Sequence, residues 1–333
     1  MRNALNVALF VVLHTAVSAT LIVAEPVLLR ISVENTEDHV QTVALRAFAQ
    51  ELSARSNERI TVQLYHSGEL YRDQDVMSAL QRGRIEMAVP GTWHISRYVP
   101  EVALFLLPEF YGRGSEFVHR VSDGRVGSRI SGQIESVLGV VIPGPWFDLG
   151  PAHLFFVDGG VRGYQDISGL VIRVAGGRGN ELRIASLGAE PITVAWNDLP
   201  AYLSTGQVDG VLTTYETVRS GALWRYGISH VLEDSQYYPQ YVPMIRRTFW
   251  DRLTEEDRRL LRDVWHETVP RQRAAAARGQ TEARETVIRE GVRIEQLITQ
   301  QVDAARQRLI KRQSAMAAEL GVPPELVDSL YDR

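Results

Sequence analysis

Blocks of alternating and of three-to-four-residue apolar spacing follow one another along this chain. Positions 27–33 (VLLRISV) form an aliphatic run that stops at Glu34, Asn35 and Thr36. From 39 to 52 the apolar residues Val40, Val43, Ala44, Ala47, Phe48 and Leu52 share one helical face. Positions 60–65 (ITVQLY) alternate as a strand, so the chain opens strand–helix–strand, the order that implies parallel pairing. A helix is predicted over 71–83 and a strand over 85–89, broken by Pro90 and Gly91 just before Thr92, Trp93 and His94. One or two helices fill 117–137, and strands follow at 140–147 and 154–157, with a loop over 164–167.

The densest signals lie between Leu170 and Val211. Val171, Ile172 and Val174 make a β-branched strand, and Gly176, Gly177 and Gly179 turn the chain. A helix runs from Glu181 to the stop at Gly188, and Ile192 and Val194 begin a second strand. A short helix over 199–203 ends at Gly206, and Val208 and Val211 open a third strand. Positions 231–242 read as loop and strand, with Tyr237, Tyr238 and Tyr241 suited to a cleft or hinge. Thr254 and Asp257 resemble a capping box at the start of a long helix that passes Leu260, Leu261, Val264 and Trp265 and continues beyond Pro270 with a kink. The tail, 291–333, is helical and reads as a solvated packing face.

A length of 333 residues exceeds one ordinary core and implies two α/β domains. A net charge of −4 gives no basic surface for nucleic acid. The absence of cysteine excludes disulfides, thiolate metal sites and cysteine nucleophiles. Arg2 followed by apolar runs at 4–12 and 16–23, with small residues before Ala19 and Ala24, marks residues 1–24 as a signal peptide, with cleavage after Ala24 or, second, Ala19. A membrane anchor fits less well because His14 and Thr15 interrupt the run. The eight histidines show no metal-ligand spacing, and no hydrolase or nucleotide-loop motif is present. Gly177-x-Gly179 with Asp198 downstream imitates a dinucleotide fingerprint, but Leu182 stands at its third glycine position.

Among candidate binding residues, Arg173 is conspicuous in an otherwise buried strand near its C-terminal end, where ligands bind in open α/β sheets. Its planar fork suits a carboxylate. Two other placements stay open: alternation turns it to solvent, or it pairs with an internal acid. Trp93 and His94 follow a strand end and have the same opportunity, as a stacking ring and a hydrogen-bonding group, or pack without a ligand.

Four motifs in order, Gly169–Val174 (GLVIRV), Leu187–Pro191 (LGAEP), Asp198 and Gly206–Gly210 (GQVDG), resemble the solute-binding proteins of TRAP transporters, the DctP-like family. Val99–Tyr111, with Pro100, Glu101 and Pro108, extends the resemblance, which covers nearly the whole mature chain. It implies a two-lobed periplasmic-binding-protein fold, each lobe a mixed sheet flanked by helices, with a long C-terminal helix spanning both. Lobe I would take 25–149 and 239–278, and lobe II 150–238 and 279–333. By the same resemblance Glu34 falls at a polar cleft position, Trp196 at an aromatic one, and Thr213 and Thr214 at the end of a ligand-facing strand. Asp209 would brace a turn.

Two departures matter. A second arginine usual in the family is missing at Gly150-Pro151-Ala152, leaving His153 as the nearest substitute, and threonines stand at 213 and 214 where the family often has Asn or Glu. Both make a dicarboxylate a poor default. The implied function is a monomeric periplasmic binding protein that closes on a small organic carboxylate and delivers it to TRAP membrane subunits, with no catalysis, cofactor or metal. The alternatives are a ligand-presenting partner of a sensor kinase and a periplasmic enzyme.

Overall fold

The computed structural model describes residues 26–157 and 159–331. The expected signal peptide, 1–24, lies outside them. Two sheets organise the chain. The first has the order Ile60–Tyr65, Val27–Ser32, Met87–Ala88, Met244–Arg246, Val140–Val141. Its first three strands are parallel, while Met244–Arg246 runs antiparallel to both neighbours. The second sheet has the order Arg293–Gln296, His230–Tyr237, Ala152–Phe156, Gly210–Thr214, Val171–Val174, Glu190–Thr193. Val171–Val174 is parallel to both of its neighbours, and Ala152–Phe156 is antiparallel to both of its own.

The chain passes between the sheets through two segments that pair with each other, Phe147–Asp148 and Gln240–Tyr241. It passes again in the Glu255–Arg289 helix, whose first turn is capped by the Thr254 hydroxyl accepting from the Asp257 N–H at 3.1 Å. Near one end Trp265 stacks on Phe147 at 4.4 Å and meets Phe48 edge-on at 5.3 Å. Near the other, Ala283 and Val287 join the core around Val211, Val218 and Val231. The helix runs unbroken through Pro270, which is exposed, as is His266, whose carbonyl loses its helical donor there.

Three predicted elements changed. The helix expected over 71–83 begins only at Val76. The Tyr71 N–H donates to the Ser32 hydroxyl at 3.1 Å, which holds the preceding residues at a strand end instead. The strand expected over 140–147 splits at Pro143-Gly144-Pro145, because proline cannot donate to a ladder. Assigning 279–333 wholly to the second lobe does not match the packing. Arg293–Gln296 edges the second sheet, but Met316, Ala317, Val322 and Leu326 share a core with Val102, Phe105 and Phe110 on the first-sheet side. The apolar side of these tail helices is therefore buried, and only the rest is a solvated face.

Candidate functional site

Strand ends from both sheets converge on one cavity. Glu34 and Asn35 follow Val27–Ser32; Trp93 and His94 follow Met87–Ala88; Arg173 sits within Val171–Val174; and Trp196 follows Glu190–Thr193. Thr213 and Thr214 end Gly210–Thr214, and Tyr237 ends His230–Tyr237. All seven residues singled out as site candidates, Glu34, Trp93, His94, Arg173, Trp196, Thr213 and Thr214, line this cavity. About 50 Å³ inside it admits a water centre, room for on the order of three to five waters.

Arg173 is 3% exposed, so alternation does not turn it to solvent. Its Nε donates to the Val194 carbonyl at 2.9 Å, which fixes the head group, and among the described residues no acid lies within ion-pair distance of it. Burial lowers its pKa to about 10, with Glu34 and Tyr237 acting the other way, so the guanidinium stays charged at neutral pH.

Opposite it lie two buried acids. Burial raises Glu34 above the usual carboxylate range, an effect Arg173 opposes. Asp73 is pushed well up by burial and then by Glu34, with the backbone of Glu34 and Gly91 acting the other way. His94 is lowered to about 3 by loss of solvent, then by Arg173 and Arg97, which leaves a neutral ring. Glu34, Asp73 and His94 each offer one ligand-capable atom, and these lie within 4.8 Å of one another. Glu34 Oε1 and Trp93 Nε1 are buried with no hydrogen-bond partner among the described residues.

The lobes touch around the cavity. Arg72 pairs with Asp198 at 3.0 Å, Arg219 with Asp38 at 3.5 Å, and the Val40 N–H donates to Glu216 at 3.2 Å. A Cβ on Gly177 would lie 2.8 Å from the Trp93 carbonyl, and one on Gly91 would strike the Trp93 indole at 2.3 Å. The indole therefore lies flat over one glycine while its backbone approaches another.

Other residues found different roles. His153 does not stand in for the missing arginine: it is absent from the cavity lining, and its Nδ1 accepts from the Asp234 and Ser235 N–H groups at 3.2 and 3.0 Å. Thr214 lines the cavity and also caps the next helix, accepting from the Thr217 N–H at 3.3 Å. Asp209 braces a turn by accepting from the Val171 N–H at 2.7 Å.

Sequence reasoning missed Asp73, Asn35 and Thr217, and named Tyr237 and Tyr241 only as part of a tyrosine cluster. Asp73 sits in Arg-Asp-Gln-Asp, which reads as the solvated start of a helix. It also missed Arg183, a fully buried guanidinium that donates to the carbonyls of Gln236, Leu106 and Leu107. That arginine ties elements together outside the cavity and replaces no ligand contact.

Comparison with known proteins gives the chain's family and fold. Residues 31–319 match the model of the DctP family, described as bacterial extracellular solute-binding protein, family 7. The C4-dicarboxylate-binding periplasmic protein DctP of Rhodobacter capsulatus is 24% identical over 255 residues, covering 73% of each chain. The 2,3-diketo-L-gulonate-binding periplasmic protein YiaO of Escherichia coli is 24% identical over 273 residues, covering 82% of this chain and 81% of that one. The sugar acid binding protein DctPAm of Advenella mimigardefordensis, solved with galactonate, superposes with a TM-score of 0.86 at 19% identity, covering 92% and 97% of the two chains. The likeness to solved structures shows the fold, and the family match covers most of the chain. The protein thus belongs to the DctP family of bacterial extracellular solute-binding proteins, and it is a binding protein rather than an enzyme.

Proposed function

We propose that this protein is exported with loss of residues 1–24, closes as a monomer on a small organic acid, and hands that acid to the membrane subunits of a TRAP transporter. The observation that carries the reading is Arg173: buried, charged, held by Val194, lining the cavity and, among the described residues, without an acid at ion-pair distance. A charge held this way is complementary to a carboxylate before the guest arrives, and a bidentate pair of this kind is worth about 1.5–3 kcal/mol. Trp93 and Trp196 wall the apolar part of the guest, and Thr213 supplies a neutral hydroxyl. Contacts from both lobes make affinity depend on closure. The relatives and structural neighbours named for C4-dicarboxylates, diketogulonate and galactonate support an acid as the guest class. Among the described residues no helix is long and apolar enough to cross a membrane.

A thermal-shift screen of mono- and dicarboxylates, keto acids, aromatic acids and amino acids tests this. A true guest at a hundredfold excess over Kd stabilises the protein by about 2.7 kcal/mol. Arg173→Ala should weaken that guest by about 10- to 150-fold, the equivalent of the lost pair. Unchanged affinity would remove Arg173 from the site. N-terminal sequencing of the exported protein tests the leader: an intact Met1 in the soluble fraction would refute its removal.

A further inference from the structure

We propose that the guest is a compact zwitterion, whose carboxylate meets Arg173 and whose cationic nitrogen is caged by Glu34, Asp73 and His94. This rests on the carboxylate reading above and narrows it to amino-acid-like acids.

The first support is the charge count. The cavity wall carries two carboxyls, Glu34 and Asp73, against one guanidinium, Arg173. The other arginines that act on these groups are engaged elsewhere: Arg72 pairs with Asp198, and Arg97 lies over the Tyr98 ring at 5.1 Å. Were both carboxyls ionised, a plain carboxylate would leave the enclosed site two charges negative and a dicarboxylate three, so a plain acid needs protons on the pair. Buried charge without compensation is strongly disfavoured. A guest that brings its own positive charge removes one unit of that excess.

The second support is geometric. The inward atoms of Glu34, Asp73 and His94 lie within 4.8 Å of one another. An ammonium donates three hydrogen bonds, of about 2.8–2.9 Å to charged acceptors. Arranged tetrahedrally, such acceptors stand about 4.6–4.7 Å apart, a spacing that this upper bound admits. The neutral His94 ring keeps a lone pair available for the third bond. The third support is independent of both: Glu34 Oε1 is buried with no partner among the described residues. It is an acceptor waiting for a donor. Asp73 also feels the backbone at Glu34 and Gly91, which follow the Val27–Ser32 and Met87–Ala88 strands, so the cage stands at the end of the sheet. The space available, about 50 Å³ for water centres, suits a short α- or β-amino acid.

Two other sources of positive charge compete. A divalent cation could use the same three atoms, although Arg173 would then face it across Glu34. A proton shared by Glu34 and Asp73 would admit a plain acid. Burial raises both carboxyls, Glu34 raises Asp73 further, and Arg173 and Arg72 oppose the rise at Glu34. Arg97 acts on His94, and after burial both acids raise the Tyr241 hydroxyl. These shifts give the two cases opposite proton balances. An ammonium expels a proton from the pair, whereas a plain acid draws one in.

The test is isothermal titration of the full mature protein with matched sets: β-alanine, 3-hydroxypropionate and malonate; L-alanine, L-lactate and pyruvate; γ-aminobutyrate, 4-hydroxybutyrate and succinate. Each set is run in EDTA, then with calcium or zinc chloride, in buffers of different ionisation enthalpy. The expected result is that in at least one set the amino member binds roughly tenfold or more tightly than its partners in EDTA, and releases protons. In Glu34→Gln and in Asp73→Asn the ratio between amino and hydroxy members should collapse towards one, whereas mere structural damage would weaken both alike. Preference for a hydroxy, keto or dicarboxylic acid with proton uptake overturns the zwitterion and leaves the carboxylate reading standing. So does binding that appears only with added metal. If an amine without a carboxylate binds as well as the amino acid, or no acid binds at all, both readings fall.

Discussion

Arg173 shows what one side chain needs before it can recognise a guest. Burial raises the cost of its charge, the Val194 carbonyl holds its Nε, and among the described residues no acid lies within ion-pair distance. Gly177 is the complementary case, a residue whose value is a missing atom. Its φ is +81°, and a Cβ there would press on the Trp93 carbonyl. Gly177→Ala should therefore destabilise the closed form by roughly 1–2 kcal/mol and weaken guest affinity by about 5- to 30-fold, read by titration calorimetry. Affinity unchanged by the methyl would mean that the lobes do not need this approach. At this scale the candidates that end strands were legible, because period-two patterns mark where strands stop and C-terminal ends face the cleft. Asp73 was not legible. Its place in the cavity wall puts it beside Glu34 and Gly91, 39 and 18 positions away in sequence, and no local pattern reports that.

At the scale of the element, His230–Tyr237 is the strand to watch. Its pairing with Ala152–Phe156 shifts register between Leu232 and Tyr237, and Ser235 takes a φ of +48°. Asp234 lies in this irregular stretch, buried, accepting from Tyr164 at 3.2 Å and from Gln236. Burial pushes its pKa up to about 8, against about 3.9 in an unfolded chain. Below pH 4 both states hold the proton, so there is no effect. Between pH 4 and 8 the unfolded chain releases it and the folded one keeps it, so stability falls as pH rises. The slope from this one group approaches about 1.4 kcal/mol per pH unit in mid-window. Denaturant titrations across pH 5–8 should therefore show Asp234→Asn losing less stability with rising pH than the parent protein. Parallel curves would exclude the group. The sequence marked 231–242 only as loop and strand. Burial of an acid in a bulge depends on what packs over it.

For the whole molecule, closure is the operative variable. The lobes meet through exposed ion pairs, Arg72 with Asp198 and Arg219 with Asp38, around a core of tightly placed glycines and rings. Exposed pairs of this kind contribute at most about 1 kcal/mol and are screened by salt. Arg72→Ala should weaken guest binding by no more than about fivefold, with the difference shrinking at high ionic strength. A larger, salt-independent loss would place Arg72 on the guest itself. The helix Glu255–Arg289 and the paired crossing segments Phe147–Asp148 and Gln240–Tyr241 connect the two sides, so hinge motion has to be accommodated there.

By itself the local pattern determined the element order, the long capped helix and the strand ends that carry Arg173, Trp93 and His94. These depend on local spacing, turn residues and caps, which act within a few positions of the chain. The two-lobed architecture and the places of Glu34, Trp196, Thr213 and Thr214 were implied by the family resemblance. Only the tertiary structure decided which side the tail helices cover, that His153 turns away from the cleft, that Arg183 binds backbone carbonyls, and that Asp73 lines the same cavity as Arg173. Each of these is a contact between residues far apart in sequence. Its energy comes from burial and from charges brought close together, quantities that exist only once the chain has folded.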